Sequence, residues 1–432
     1  MKKAAFYTLG CKVNQYETEA MAEAFEKAGY TVVDFEEAAD VYVINTCTVT
    51  GLSSRKSRQA IRRAKQRNGN AVVAAVGCYP QTAKEELESM PEVDIIVGTA
   101  ERRRLPEYVE EFLKGSGRIT AVGNIMKNRS FEDLRIENYK GRTRAIMKVQ
   151  EGCNQFCSYC IIPYARGPIR SRPAEEVISE VHKLVEAGFR EVVLTGIHIA
   201  SYGIDLGQIR LPDLIRMVHD VDGIERIRLG SLEPTMITKE FVAEAAGLEK
   251  LCPHYHISLQ SGCDETLKRM NRKYTTAEYE KAVELLREKI PDVSVTTDVM
   301  VGFPGETDGE FETTYRFLEK IRFAKMHVFK YSPRKGTPAA RRNDQVDGRV
   351  KEERSDRLIE LSNRCQLEFN MKFLGRVMPV LYEQEDSDRK GWYEGLTPNY
   401  IRVLSKGDAG ISGNILQTRL LEAKNDFIFG EI

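Results

Sequence analysis

Along the first ~115 residues, short apolar runs alternate with segments that are apolar on one helical face only. Runs at 4–9, 41–45, 71–76 and 95–97 read as strands, and segments 17–28, 53–67, 82–90 and 101–113 as helices. Such alternation predicts a parallel, doubly wound α/β sheet. A second series follows, with strands expected at 144–150, 191–195, 226–230, 254–260, 294–300 and 326–331 and helices such as 174–187 and 276–289. Six units are too few for a closed eight-stranded barrel, so a partial, open (βα)6 barrel is expected. A helical pattern at 349–373 ends that series. The last part of the chain turns to short β-like runs at 377–381, 391–395, 400–404 and 414–421, the pattern of a small β-barrel of a kind that binds oligonucleotides. Residues 127–142, including Asn128-Arg129-Ser130 and Asn138-Tyr139-Lys140-Gly141, are polar and read as a linker. The expected division is 1–126, linker 127–142, barrel 143–370 and β-barrel 371–432.

Composition adds limits. With 42% hydrophobic and 30% charged residues over 432 positions, the chain has the make-up of a soluble globular protein. No apolar run reaches the roughly 18 residues of a membrane span. The apolar stretch after Met1-Lys2-Lys3 is about seven residues, short for a secretory leader, so a cytoplasmic location is expected. Lys plus Arg equals Asp plus Glu at 64 each, which leaves only local charge to signal nucleic acid. One helix carries such a signal: Arg55, Lys56, Arg58, Arg62, Arg63, Lys65 and Arg67 crowd a stretch with no acidic residue between Gly51 and Lys84. Arg55, Arg58, Arg62 and Arg63 are candidate RNA-binding residues, with a solvated helix face as the alternative. Trp392, Tyr393 and Tyr400 are placed either to stack on bases or to fill the small barrel's core.

Six of the nine cysteines form two groups of three. Cys153, Cys157 and Cys160 make a C-x3-C-x2-C loop after the first barrel strand, at the end where barrel chemistry sits. Cys11, Cys47 and Cys78 each follow a strand of the first sheet and should converge at its carboxyl edge, where ligands bind. A structural zinc asks for four closed ligands, whereas a 4Fe-4S cluster on three thiolates keeps one iron open for chemistry. Two clusters are therefore expected, in a reducing compartment. Cys252, Cys263 and Cys365 read as ordinary thiols, and His254 and His256 as structural.

The Cys153 loop resembles the radical S-adenosylmethionine superfamily. That resemblance implies an open iron chelated by the methionine moiety, one-electron cleavage of the sulfonium and a 5′-deoxyadenosyl radical. Together with Gly10-Cys11-Lys12-Val13-Asn14, Asn45-Thr46-Cys47-Thr48-Val49-Thr50, Gly77-Cys78-Tyr79, Pro163-Tyr164-Ala165-Arg166-Gly167 and Gly302-Phe303-Pro304-Gly305-Glu306-Thr307, it makes the whole chain similar to the methylthiotransferases. These join an amino-terminal cluster domain, a radical barrel and an RNA-binding TRAM barrel. The resemblance implies an auxiliary cluster on Cys11, Cys47 and Cys78 and a radical cluster on Cys153, Cys157 and Cys160. Gly196, in the place of the superfamily's Gly-Gly-Glu segment but without its full wording, is a candidate contact for S-adenosylmethionine. So are Glu233, Ser258 and Gln260, which also end barrel strands; each is alternatively a polar residue satisfying the barrel mouth.

Within the family, Gly10 to Glu17 resembles the branch acting on N6-threonylcarbamoyladenosine at position 37 of tRNA. The isopentenyladenosine branch, which tends to read Gly-Cys-Gln-Met-Asn, is the alternative. The implied reaction uses S-adenosylmethionine twice, once to methylate sulfur held at the auxiliary cluster and once for the radical that activates C2 of the adenine. Implied partners are a tRNA anticodon stem-loop, an electron donor of flavodoxin or ferredoxin type and a sulfur donor. Exposing a base that is already unpaired in its loop costs little. The anionic threonylcarbamoyl group calls for a cationic partner, for which Arg166 and Arg334 are candidates, each alternatively a surface or structural charge. A non-catalytic iron-sulfur redox sensor that binds RNA is the alternative of another class, and the complete barrel argues against it.

Overall fold

The computed structural model describes residues 2–136, 143–207 and 209–432, so the part of the expected linker at 137–142 lies outside the described residues. In the amino-terminal region six parallel strands, β1 (Lys3–Thr8), β2 (Thr31–Val33), β3 (Val41–Thr46), β4 (Val72–Gly77), β5 (Ile95–Val97) and β6 (Ile119–Ala121), stand in the order β2-β1-β3-β4-β5-β6. The fully buried β3 and β4 form the centre, as continuous apolar runs in a sheet covered on both faces should. The edge strands β2 and β6 were not expected; at three residues each, only partly buried, they carry little pattern. The order reverses between β1 and β3, a switch point of the kind where doubly wound sheets bind ligands.

Helix α1 (Lys12–Lys27) starts earlier than its apolar pattern, because Cys11 takes the extended N-cap position. Helix α2 (Gly51–Arg67) is capped by Thr50, whose Oγ1 accepts from the Ser53 amide at 3.1 Å. The helix expected at 82–90 is instead two short ones, α3 (Cys78–Thr82) and α4 (Lys84–Glu88), broken at Ala83.

The barrel strands are β7 (Arg144–Glu151), β8 (Arg170–Ser171), β9 (Glu191–Gly196), β10 (Arg226–Leu229), β11 (His254–His256), β12 (Ser294–Val301) and β13 (Lys325–Lys330). β7, β9 and β10 are parallel neighbours, as are β11, β12 and β13, and bridges at Ile227–Leu251 and Leu232–Ile257 join the two halves. The open (βα)6 barrel is thus present, with the two-residue β8 added antiparallel to the end of β7. β11 ends at His256, and beyond it Ile257 still bonds Thr296 of β12 before a separate bridge forms at Gln260–Val299.

After the helix Gly348–Met371, five strands, β14 (Val377–Glu385), β15 (Trp392–Leu396), β16 (Arg402–Lys406), β17 (Ile415–Ala423) and β18 (Ile428–Glu431), close into a barrel, which leaves no free edge. Tyr393 belongs to its core, and Trp392 meets Phe429 edge-on. Tyr400 does neither of the things expected of it. At φ 70° its ring stacks on His254, 4.3 Å between centroids, beneath the Arg228 guanidinium. Arg226 and Arg228 donate to the carbonyls of Pro379, Leu396 and Pro398, so the small barrel docks at the amino ends of the large barrel's strands. Among the described residues no helix is long and apolar enough to cross a membrane.

Candidate functional site

β1, β3 and β4 run in register, with Thr8 opposite Asn45 and Thr46 opposite Gly77, so Cys11, Cys47 and Cys78 arrive at one edge of the sheet. Gly10 permits the approach: it holds φ +113°, and a Cβ there would stand 3.1 Å from that of Cys47. Asn14, one turn into α1, donates to the carbonyls of Leu9 (2.7 Å) and Thr46 (3.0 Å) and so ties the Cys11 loop to β3. Arg166 closes the edge from the barrel side. Its Nε donates to Cys78 Sγ at 3.1 Å and its Nη2 to Asn14 Oδ1 at 2.6 Å, while Nη1 reaches Glu17 (2.6 Å) and Glu151 (3.1 Å).

Behind this edge lies a buried ion network. Glu17 also receives Lys148 at 3.1 Å and Arg102, and Arg102 in turn pairs with Glu132. Three cations and three carboxylates thus answer one another across the junction of α1 and β7, which is how buried charge is tolerated. Burial pushes the Glu17 carboxyl up, but Arg102, Arg166 and Lys148 prevail and hold it well below the usual carboxylate range.

The second cysteine group is organised locally. The Cys153 amide donates to Gly167 O (3.0 Å), that of Ser158 to Met270 O (2.9 Å) and that of Cys160 to Cys157 O (3.0 Å). Phe156 (φ 47°) and Asn271 (φ 60°) both adopt left-handed backbone, rare away from glycine, and the Asn271 amide nitrogen donates to Phe156 O at 3.0 Å. Arg272 completes the loop's support: Nη1 donates to Cys157 Sγ at 3.3 Å and Nη2 to Glu233 at 2.7 Å. Burial, reinforced by neighbouring cysteines, pushes Cys153 up to about 11 and Cys160 to about 12; in the first group Cys78 rises to about 12 against the pull of Arg166. Without a cation these thiols stay protonated at neutral pH, and a coordinated metal reverses that outright.

Between the two groups lies a cavity of about 210 Å³. Val49 and Thr50, just past Cys47, line one side, Tyr159 and Cys160 another, and Gln260, Met300 and Phe329 the barrel side. Phe329 and Val49 leave 46% and 50% of their surface exposed, an apolar frame of the sort that binding pockets present. A larger cavity, about 490 Å³, sits by Lys12, Arg144 and Glu383, where the small barrel docks.

Residues 147–318 match the Radical SAM superfamily and residues 3–98 the Uncharacterized protein family UPF0004. The chain is 45% identical over 426 residues to threonylcarbamoyladenosine tRNA methylthiotransferase MtaB of Bacillus subtilis, across 98% of this chain and 94% of that protein. It belongs to the radical SAM tRNA methylthiotransferases. A methylthiotransferase of the same name from Thermotoga maritima is 38% identical, across 89% of this chain and 87% of that protein. The tRNA-2-methylthio-N(6)-dimethylallyladenosine synthase of Pelotomaculum thermopropionicum is 36% identical, across 98% and 96%. Among solved structures, the radical S-adenosylmethionine methyltransferase TsrM from Kitasatospora setae, with cobalamin and a 4Fe-4S cluster bound, has a TM-score of 0.54 at 17% identity, covering 79% of this chain and 74% of that one. That likeness is one of fold.

Radical SAM methylthiotransferases use S-adenosylmethionine and 4Fe-4S clusters, and both cysteine groups of this methylthiotransferase fit such a cluster. Each offers three thiols and no carboxylate donor. Among the described residues no three His, Cys, Asp or Glu side chains close round a single ion, whereas a cluster takes one thiolate at each of three irons.

The remaining expected residues separate. Gly196, Glu233, Ser258 and Gln260 come to the barrel rim that carries the Cys153 loop. A Cβ on Gly196 would press on Gln150 at 2.8 Å, Glu233 is engaged by Arg272, the Ser258 carbonyl accepts from Tyr274 at 2.8 Å, and Gln260, at φ 70°, lines the cavity. The basic run on α2 is less free than its sequence suggests. Arg58 donates to Tyr79 at 2.7 Å, Arg62 lies 3.6 Å from Glu92 and Arg63 pairs with Glu36, all partners from outside the run, while Arg55 and Lys56 are exposed. Arg166 is not available to a substrate carboxylate: it is fully buried and committed to Glu17, Glu151, Asn14 and Cys78. Asn14 and Glu17 follow Cys11 at steps of three residues along one helical face, which is the sequence signal that places them at this edge. Arg272 had no signal in the sequence at all.

Proposed function

We propose that the protein attaches a methylthio group to C2 of N6-threonylcarbamoyladenosine at position 37 of tRNA, with the target base in the cavity between the two cysteine groups. The observation that carries this reading is that one cavity borders both Cys160 and the segment following Cys47. Cys153, Cys157 and Cys160 hold the radical cluster, and Cys11, Cys47 and Cys78 the auxiliary one. When bound, the clusters and S-adenosylmethionine supply one-electron cleavage of the sulfonium and a held sulfur. The chain's own part is placement. Arg272 fixes the Cys157 loop against Glu233; Gly196, Ser258 and Gln260 form the cofactor rim; Phe329 and Val49 offer the base an apolar face. The exposed edge of α2, with Arg55, contacts tRNA phosphates, and Arg58, Arg62 and Arg63 contribute once their internal pairs open.

The domain division at 126, 142 and 370, the anticodon stem-loop as the part of tRNA recognised, a flavodoxin- or ferredoxin-type electron donor, a separate sulfur donor and a cytoplasmic setting belong to the same reading. Support for the threonylcarbamoyl substrate comes from the relatives named for it, at 45% and 38% identity. The dimethylallyladenosine reading has a relative at 36%. Two anticodon stem-loops differing only at adenosine 37 separate them: the threonylcarbamoyl form is expected to yield the 2-methylthio nucleoside by mass spectrometry. Turnover of the isopentenyl form alone would sink the substrate and leave the family intact.

A further inference from the structure

Arg334, in the loop after β13, reaches across to the amino-terminal sheet. Its Nη2 donates to Thr48 Oγ1 at 2.9 Å and Ser54 Oγ at 3.1 Å, both neutral, and its Nε is buried with no hydrogen-bond partner. Arg102, Arg166, Arg228, Arg272 and Arg354, by contrast, each meet a carboxylate directly. Among the described residues no carboxylate touches this guanidinium.

The amino end of α2 sits beside it. The Gly51 amide donates to Ser332 Oγ at 3.0 Å, and a Cβ on Gly51 would stand 3.9 Å from Arg334 Nη1. This helix has 17 residues and no acid in its first turn, so among the described residues its positive end meets only the neutral Thr50 and Ser332 hydroxyls. Thr50 and Ser332, which flank this pair in the chain, line the cavity between the cysteine groups together with Val49, while Arg334 itself is not part of its wall.

We propose that Arg334 is the specificity-determining residue for the N6 substituent, taking the threonylcarbamoyl carboxylate in its guanidinium beside the amino end of α2. This rests on the reading of the cavity as the target-base site. A planar guanidinium suits a carboxylate. An apolar substituent leaves the same cation desolvated and unpaired, so the site discriminates by rejection as well as by attraction. A tRNA phosphate offers the same oxyanion chemistry, and the test has to tell the two apart.

The test compares kcat/KM for two stem-loops that carry the threonylcarbamoyl group as free acid or as methyl ester. Wild-type holoenzyme is expected to favour the acid roughly ten- to a hundredfold, the range of a charge-assisted hydrogen bond. Arg334→Gln should bring the ratio to about one, and Arg334→Lys should restore part of it. A variant that loses acid and ester alike points to a phosphate contact or a structural role and overturns the assignment. Should neither variant fold, the wild-type ratio still decides, because a value near one overturns it too. Wild-type enzyme that modifies neither stem-loop fails at the earlier step and refutes the substrate reading itself.

Discussion

The two cysteine groups are assembled by opposite routes, and only Cys160 of the second and the segment after Cys47 of the first border the cavity between them. Cys153, Cys157 and Cys160 share one loop whose shape is set by amides and carbonyls within and next to it, with Arg272 as outside support. Cys11, Cys47 and Cys78 depend on the register of three strands, on Gly10 and Asn14, and on Arg166 from the barrel. A local group is a property of a short peptide in a frame; the distributed one needs a whole sheet in register and a side chain, Arg166, from the barrel. The buried ions around Glu17 lie at that contact, so the first group should be the more fragile.

The sharpest break is chemical. Changing Cys153, Cys157 and Cys160 to Ala should lower anaerobically reconstituted iron from about eight to about four per chain and abolish both 5′-deoxyadenosine formation and methylthiolation. Iron analysis with product chromatography checks it, and remaining cofactor cleavage would contradict the division of roles.

Next comes Glu17→Gln, which leaves Arg102, Arg166 and Lys148 short of a carboxylate in the interior. Removing one partner of such a network costs about 3–5 kcal/mol. Denaturation should report that loss, and iron should fall at the first group while the roughly four irons of the second remain. Glu17 and Glu151 are both held below the ordinary carboxylate range, so their contribution is complete above about 4.3, the unfolded value, and declines as pH falls through the folded one. The stability gap between wild type and Glu17→Gln should accordingly narrow in acid; a constant gap would show that the charge of Glu17 is not what matters.

Arg272→Met removes the tether of the local group and is expected to slow cofactor cleavage by about ten- to a hundredfold, as loss of an outer partner of a metal site does. The electronic spectrum of the first group's cluster should not move. The smallest effect concerns α2: since Arg62 and Arg63 are already paired with acids, Arg55→Ala with Lys56→Ala should flatten the salt dependence of tRNA binding more than Arg62→Ala with Arg63→Ala. Equal slopes would return this helix to a solvated face.

The architecture was legible because its signals are long and periodic: alternating apolar runs and helical faces announced both α/β series, and the β-like runs of the last part announced the small barrel. β2, β6 and β18 escaped because three or four residues carry no period. The cysteines announced the site through their chemistry, and their convergence followed from strand ends sharing one edge. Their supporting residues did not follow in the same way. Whether Arg166 meets substrate or is a structural charge stays open in the sequence, because position along a chain does not tell which cations the fold will neutralise, and Glu17 lies 149 residues away. The basic run on α2 is left open similarly, since Glu36 and Glu92 lie outside it in sequence and against it in space.

The account turns on divided labour between the groups, and one reaction tests it. Cys11, Cys47 and Cys78 are changed to Ala together, and 5′-deoxyadenosine and methylthiolated nucleoside are measured in the same anaerobic mixture with a threonylcarbamoyladenosine stem-loop. Retained 5′-deoxyadenosine with no methylthio product is the predicted result. Methylthio product from that variant would contradict it.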